Sequence, residues 1–279
     1  MAYSNFKPTI WSKFIQTELE RKCRLVEYCN TQFEGEAKLG GTVHILGVNS
    51  PEVYDYDQVN GLNAPQQPED HKVSLLIDQA KAFNFKVDDV DKAQSVNGLM
   101  ETLMKEATAK MATVRDAHVA KVAARLEEPE SDLEGYQSAS TAVNSEKIAK
   151  KLVDEALVAL RERDVDLEDN VIITLSPFFY NWFKNDLTEL KTNNDELIRK
   201  GVIGMYDNCL VQLSNNLYND GTDDYMMVRT KKAIAFASAI DQVEAYRPEN
   251  FFADAVKGLN VYGAKVVRPK ELQIIKAHK

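Results

Sequence analysis

TVHILGVNSPEVYDYDQVNGLNAPQQPEDHKVSLLI, residues 42–77, is the stretch on which the fold turns. Its first part, TVHILGV (42–48), and its last, KVSLLI (72–77), alternate as strands do, with successive side chains on opposite faces. Between them, Asn49 to His71 is polar and holds Pro51, Gly61, Pro65, Pro68, three Asn and several Asp and Gln. A connection beyond ~12–15 residues without a core of its own is uncommon in compact domains and is usually functional or disordered. Two strands carrying such a tip bury little of themselves, and an isolated hairpin is marginal in water. Either the segment is floppy, or it gains order by lying on another subunit.

Upstream, residues 10–30 set Trp11, Phe14, Ile15, Leu19, Leu25 and Val26 among charges, which predicts a short helix or docking arm. Downstream, an extended run covers Ala82–Val87, and a long helix is predicted from about Asp91 to Glu127. Its stripe is Val96, Met100, Leu103, Ala107, Met111, Val114, His118, Val122 and Arg125, stepping by three or four residues. At 1.5 Å per residue such a helix spans roughly 50 Å. Pro129 supplies the stop. The methionines read as core filler and His118 as a satisfied core histidine.

Residues 128–144 read as a polar linker, after which a second subdomain begins. Asn144 or Ser145 caps a helix over Glu146–Arg163, with Ile148, Leu152, Ala156 and Leu160 buried. VIITL (171–175) is a buried strand, and Ser176-Pro177 opens another helix with serine as cap and proline at its first position. Strands follow at 202–206 and 209–213, then the turn-rich SNNLYNDGTDD, then extended runs near 225–229 and 233–238. Arg247-Pro248 is read as opening a short helix with Phe251, Phe252 and Val256, closed by Gly258. The last strand, LNVYGAKVV, stops at Pro269 and returns to the first subdomain. No internal repeat or low-complexity segment is present.

Length and composition agree with one large domain or two connected subdomains. The chain has 279 residues, 44 % hydrophobic and 28 % charged, enough to bury roughly three quarters of its unfolded surface. Cys23, Cys29 and Cys209 cannot all pair with one another, lack zinc spacing, and are read as reduced thiols. The start, MAYSNFKPTIW, has no signal-peptide pattern, and no window approaches the ~18 apolar residues of a membrane span. Net charge is −9, which disfavours tight nucleic-acid binding. Lys265, Arg268, Lys270, Lys276 and Lys279 are a basic bias read as a solvated strand and tail.

Catalytic motifs are absent where they are easiest to see: no P-loop, G-x-G-x-x-G, G-x-S-x-G or H-E-x-x-H. His44, His71, His118 and His278 are scattered. The run Asp88-Asp89-Val90-Asp91 lacks the glycine and terminal glutamate of a calcium loop, and suits a helix start. Asp223-Asp224 and Asp55-Tyr56-Asp57 read as loop acids. No catalytic residue, cofactor or metal is assigned.

Five stretches in order resemble the tailed-phage major capsid proteins of the Hong Kong 97 type. FEGEAKLGGTVHILGV (33–48) is similar to that family's approach to its extended loop. KVSLLIDQAKAFNFKVDDVDKAQ (72–94) resembles the return strand leading to the spine helix. VIITLSPFFYNWF (171–183) and GVIGMYDNCLVQLSNNL (201–217) resemble parts of the axial domain. KKAIAFASAI (231–240) with FFADAVKGLNVYGAKVVRP (251–269) resembles the closing strands.

The resemblance implies an α+β Hong Kong 97-type capsid fold with an N-terminal arm (1–32) and an extended loop hairpin with flanking strands (33–88). A peripheral domain with a long spine helix and linker (89–142), an axial domain (143–245) and a return to the peripheral domain (246–279) complete it. It implies hexamers and pentamers closing into a shell around double-stranded DNA bound without sequence specificity, with a portal and no membrane. An N-terminal arm this short leaves no room for a fused scaffolding segment, so a separate scaffolding protein is expected. Lys38, Lys72 and Asn260 are the candidates for the isopeptide bond that some members make, and none resembles a crosslinking motif. The intersubunit contacts expected are Trp11 and Phe14 on the arm, Phe33, Glu36 and Lys38 before the loop, and Tyr54, Asp55, Tyr56 and Asp57 within it. Two alternatives remain: an encapsulin-like nanocompartment shell, and an α+β enzyme whose site forms only in three dimensions.

Overall fold

The two runs that flank the polar tip pair with each other in the computed structural model, which describes residues 23–32, 41–48, 70–88, 99–126, 128, 135–165, 171–185 and 202–279. β1 (Thr42–Val48) and β2 (Asp70–Leu76) are antiparallel, in unbroken register from Thr42 opposite Leu76 to Val48 opposite Asp70. In chain order there follow β3 (Gln79–Asp88), α1 (Leu99–Ala123), β4 (Thr141–Ala142), α2 (Glu146–Glu162), β5 (Ile172–Leu175) and α3 (Pro177–Asn185). The chain continues through β6 (Val202–Tyr206), β7 (Cys209–Leu213), β8 (Tyr218–Asn219), β9 (Asp224–Arg229), β10 (Ile234–Tyr246), β11 (Ala253–Val266) and β12 (Leu272–His278).

Two larger sheets organise these strands. β10, β11 and β3 form a long antiparallel ribbon in that order, while β4-β12-β9-β5-β7-β6, with β8 beside β9, form a seven-stranded sheet. Strand alternation explains why the second sheet is buried on both faces. Tyr225 and Met227 of β9, with Leu272 and Ile274 of β12, face a core shared with α1 and residues 23–29. Their neighbours Met226, Val228, Ile275 and Ala277 face the opposite core, built by α2 and α3. The hairpin β1–β2 roots on the ribbon: Val43, Ile45, Leu75 and Ile77 are buried against Ala235, Ala237 and Val261. Gly263 permits that approach, because a Cβ there would stand 2.1 Å from the Leu76 carbonyl oxygen.

Several expectations are corrected. The long helix is observed over Leu99–Ala123, with 91–98 and 127 outside the described residues. Its buried face is displaced by about one position from the apolar stripe: Met104, Thr108, Ala112, Arg115, Asp116, Val119 and Ala123 are buried, and Val114 is exposed. The reason is that three of those buried side chains are polar and find partners inside, so apolar periodicity points to the wrong meridian. Residues 247–258 are no helix. They turn through Pro248–Phe251 and then run as β11, because Ala253 to Tyr262 have β3 to pair with. The basic C-terminal segment is no solvated tail, since β12 lies between β4 and β9. The linker also joins this sheet through β4 and a Gln137–Ile274 bridge. Ser145 precedes α2 without a side-chain capping bond, whereas the Ser176 hydroxyl accepts the Phe179 N–H at 3.4 Å as its sequence promised.

Gly263→Ala is expected to destabilise the subunit by about 1–3 kcal/mol, the usual cost of forcing an extra carbon into a packed site. The loss should be visible as a lowered midpoint in a thermal melt monitored by circular dichroism.

Candidate assembly surfaces and the junction that positions them

The expected contact residues Trp11, Phe14, Phe33, Glu36, Lys38, Tyr54, Asp55, Tyr56 and Asp57 all lie outside the described residues. What the structure gives is the framework from which the arm and the loop depart. Asn260, one isopeptide candidate, is buried in β11, and its Oδ1 accepts the Arg115 Nε–H at 2.8 Å. Its Oδ1 is held by that bond, while its Nδ2 is buried without a hydrogen-bond partner.

The arm is fixed where Cys23–Asn30 threads between α1 and the seven-stranded sheet. From the helix side, Asp116 takes three successive backbone N–H groups, those of Arg24 (2.9 Å), Leu25 (3.0 Å) and Val26 (3.3 Å). From the sheet side, the fully buried Arg229 donates to the Leu25 carbonyl at 2.9 Å and to the Tyr28 carbonyl. Gln212 Nε2 adds a bond to the Arg24 carbonyl at 2.9 Å, and Asn30 pairs with the start of β10. Beyond its 3₁₀ turn and the bridge to β10, the segment's buried donors and acceptors are met by side chains from both lobes, as burial demands. Burial pushes the Asp116 carboxyl above its ordinary value, and the three N–H bonds only partly offset this. Sequence reading missed this pair: an Asp and an Arg more than a hundred residues apart carry no local signal.

A second junction closes below the helix. The Arg163 side chain at the end of α2 donates to the carbonyls of Lys270 (3.3 Å), Leu272 (3.4 Å) and Gly135, and to Gln273. The Tyr136 ring is flanked by Arg163 at 4.4 Å and Arg125 at 5.1 Å.

Chemically, one constellation invites comparison with a hydrolytic triad. Ser140 Oγ donates to Asp223 at 2.9 Å, and His278 Nδ1 meets the same carboxylate oxygen at 2.7 Å. Ser140 Oγ also lies 3.3 Å from that Nδ1, so serine and aspartate compete for one ring nitrogen, where a triad needs them on opposite nitrogens. The trio ties β12 to the turn before β9. His118, expected in the core, packs edge-on to Tyr262 at 5.6 Å. Cys23, Cys29 and Cys209 are all buried, and burial raises the Cys209 thiol to about 11, far from a reactive thiolate. Among the described residues no three His, Cys, Asp or Glu gather as metal ligands, and no helix is long and apolar enough to cross a membrane.

No protein-family profile and no curated protein matches the chain. Solved structures do. A chain from Mycobacterium phage Che8 superposes with TM-score 0.70 at 28 % identity, over 90 % of each chain. The capsid of cyanophage P-SCSP1u gives TM-score 0.70 at 13 % identity, over 93 % of this chain and 89 % of that one. The fold is that of a tailed-phage major capsid protein. A virus-like particle from Pyrococcus furiosus shares it more distantly, at TM-score 0.58 and 9 % identity over 96 % and 98 % of the two chains. In this capsid fold α1 answers to the expected spine helix, and β1–β2 is the base of the expected extended loop.

Replacing Arg229 with methionine removes the side-chain donor to the buried Tyr28 carbonyl and one of three donors to the Leu25 carbonyl, and should cost about 1–3 kcal/mol in chemical denaturation. Asp116 gives a pH signature. Its carboxyl is held above its ordinary 3.8 in the folded subunit, so the native state keeps this proton to higher pH than the unfolded chain does. Its contribution to stability is therefore fully present below the ordinary value and declines as pH rises through the raised native one. Asp116→Asn should remove that slope, measured as the difference in Tm between the two proteins across acidic pH.

Proposed function

We propose that this chain is the major shell subunit of a tailed-phage head, assembling into hexamers and pentamers that close around double-stranded DNA. The observation that carries the reading is the match to two tailed-phage chains over nine tenths of the sequence at TM-score 0.70. The role is structural: the subunit works by making contacts, and the capsid keeps it in the virion.

The geometry supports this. The ribbon and α1 form the peripheral domain; α2, α3 and β5 to β9 form the axial domain. The return segment 246–279 divides between them, β11 beside β3 and β12 in the axial sheet. The hairpin β1–β2 is rooted at its base and carries residues 49–69 to a neighbouring subunit, where Tyr54 to Asp57 make contact. Phe33, Glu36 and Lys38 line the approach, and Trp11 and Phe14 on the arm bind another copy. Weak contacts repeated many times per subunit make a closed shell persistent, and rotationally repeated heterologous interfaces close into rings. A chain of net charge −9 suits a container whose DNA must not adhere to the wall. A separate scaffolding protein and a portal complete the partners, with assembly in the bacterial cytoplasm.

An encapsulin-like protein nanocompartment shell is the second reading, compatible with the fold shared with a virus-like particle from Pyrococcus furiosus. Negative-stain microscopy and light scattering of the purified protein, with scaffold co-expressed, should reveal rings, tubes or shells. Deleting residues 49–71 should abolish closed particles. A monodisperse monomer at every concentration would overturn the shell reading, and particles filled with a protein cargo in the native host would favour the second one.

A further inference from the structure

One edge of the seven-stranded sheet stays open. β4 is its outermost strand, and residues 136–138 continue that edge along β12. The Tyr136 carbonyl accepts the Ile274 N–H at 2.9 Å, and the Ser138 N–H donates to the Ile274 carbonyl at 2.9 Å. Backbone groups alternate in direction along an extended chain, so the Gln137 N–H and carbonyl and the Ala139 N–H point away from β12. Among the described residues no hydrogen bond reaches these groups, while the Ala139 carbonyl accepts the Thr141 hydroxyl at 3.1 Å. The stretch GYQSASTA, residues 135–142, holds neither charge nor proline, the devices by which exposed edges usually refuse a partner. The opposite edge differs: the register of β6 is broken between Val202 and Gly204, which spoils it as a template.

Beside this edge stands α2, and a cleft of about 320 Å³ separates the two. Its floor is apolar, made by Leu152 and Ala156 of the helix and Ile275 of β12. A second cleft of about 400 Å³ continues past Gly135 and Tyr136 to Arg163 and Lys270. The walls are firm. Gln137 donates to the Ala124 carbonyl at 3.1 Å, the Ser138 hydroxyl accepts the Lys276 N–H at 2.9 Å, and Arg163 ties the lower end to β12. An edge strand facing a helix across a cleft is the geometry in which an extended peptide adds as a further strand. Main-chain bonds then supply affinity, and alternate side chains in the cleft supply specificity.

Charge selects the occupant. The two clefts are lined by Glu155, Glu162 and Asp164 against Arg163 and Lys270, and the Arg163 guanidinium is turned onto carbonyls of the fold. Glu155 meets Lys151 at 3.4 Å, but both are well exposed, and such a pair holds its carboxylate only weakly. An acidic rim favours a basic strand and disfavours a second copy of a chain whose net charge is −9. We infer that residues 135–142 and α2 take an extended basic segment of a different protein as an added strand of the central sheet. The inference stands on the geometry of the subunit itself and goes beyond the shell reading.

The test titrates the full-length subunit with a short synthetic peptide of alternating lysine and valine, and follows backbone amides by hydrogen exchange. Exchange at Gln137 and Ala139 should slow about tenfold or more when the peptide is bound, as for amides taken into a sheet ladder. Methylating every second peptide nitrogen should abolish binding in one of the two phases and spare it in the other, because only one set of amides faces the edge. Glu155→Lys with Glu162→Lys should weaken binding about tenfold or more and shift the preference to a glutamate–valine peptide, with an unchanged melting curve showing that the fold survives. Absence of binding by the lysine–valine peptide overturns the inference. So does equal binding of the glutamate–valine peptide to the native subunit, or an equal effect of methylation in both phases. Protection of Gln137 and Ala139 on assembly with no peptide present also overturns it, and assigns the edge to another copy. None of these outcomes bears on whether the chain builds shells, which the particles themselves decide.

Discussion

A single constraint holds the subunit together: the segment Cys23–Asn30 must be satisfied from two sides at once. Its own backbone pairing is one 3₁₀ turn, Val26–Tyr28, and a bridge from Asn30 to β10, yet most of it is buried. Asp116 answers its N–H groups from the spine helix, and Arg229 answers its carbonyls from the central sheet. Both charges are removed from water, an arrangement that is expensive unless each is met by several hydrogen bonds. The two lobes are thus joined through a third element lying between them.

From that fixed centre the structure becomes thinner outward. The seven-stranded sheet has apolar cover on both faces, the root of the ribbon is half covered, and the outer ribbon is held by cross-strand pairs and rings laid on backbone. The β1–β2 hairpin is anchored at its base by seven buried residues shared with the ribbon. This gradient is what a shell-building subunit needs. Its core is complete alone, and its extremities have stability to gain from neighbours.

Strands were legible wherever pairing was local or the run was wholly apolar. The runs at 42–48, 172–175, 202–206 and 209–213 stand where alternation and turn chemistry put them. The helix over 247–258 was misread because an Arg-Pro start and a closing glycine mimic helix punctuation, while the pairing with β3 that overrides them is set about 170 residues upstream. The α1 stripe misled for a different reason: Thr108, Arg115 and Asp116 are polar residues with inward duties, which periodicity counts as solvent-facing. β12 was hidden by its polar residues, since Lys276 and His278 sit at the two half-exposed positions of an otherwise buried strand. The expected contact residues all fall on stretches the structure does not describe. The framework that aims them depends on pairs too distant in sequence for any pattern to link.

The place of β12 also sets a timetable. Residues 272–278 pair with β9 along nearly their whole length and separate it from β4, so the central sheet cannot close while the ribosome still holds that segment. Everything synthesised earlier must wait in a partly open state. A chain cut short before that point would lack one wall of both cores.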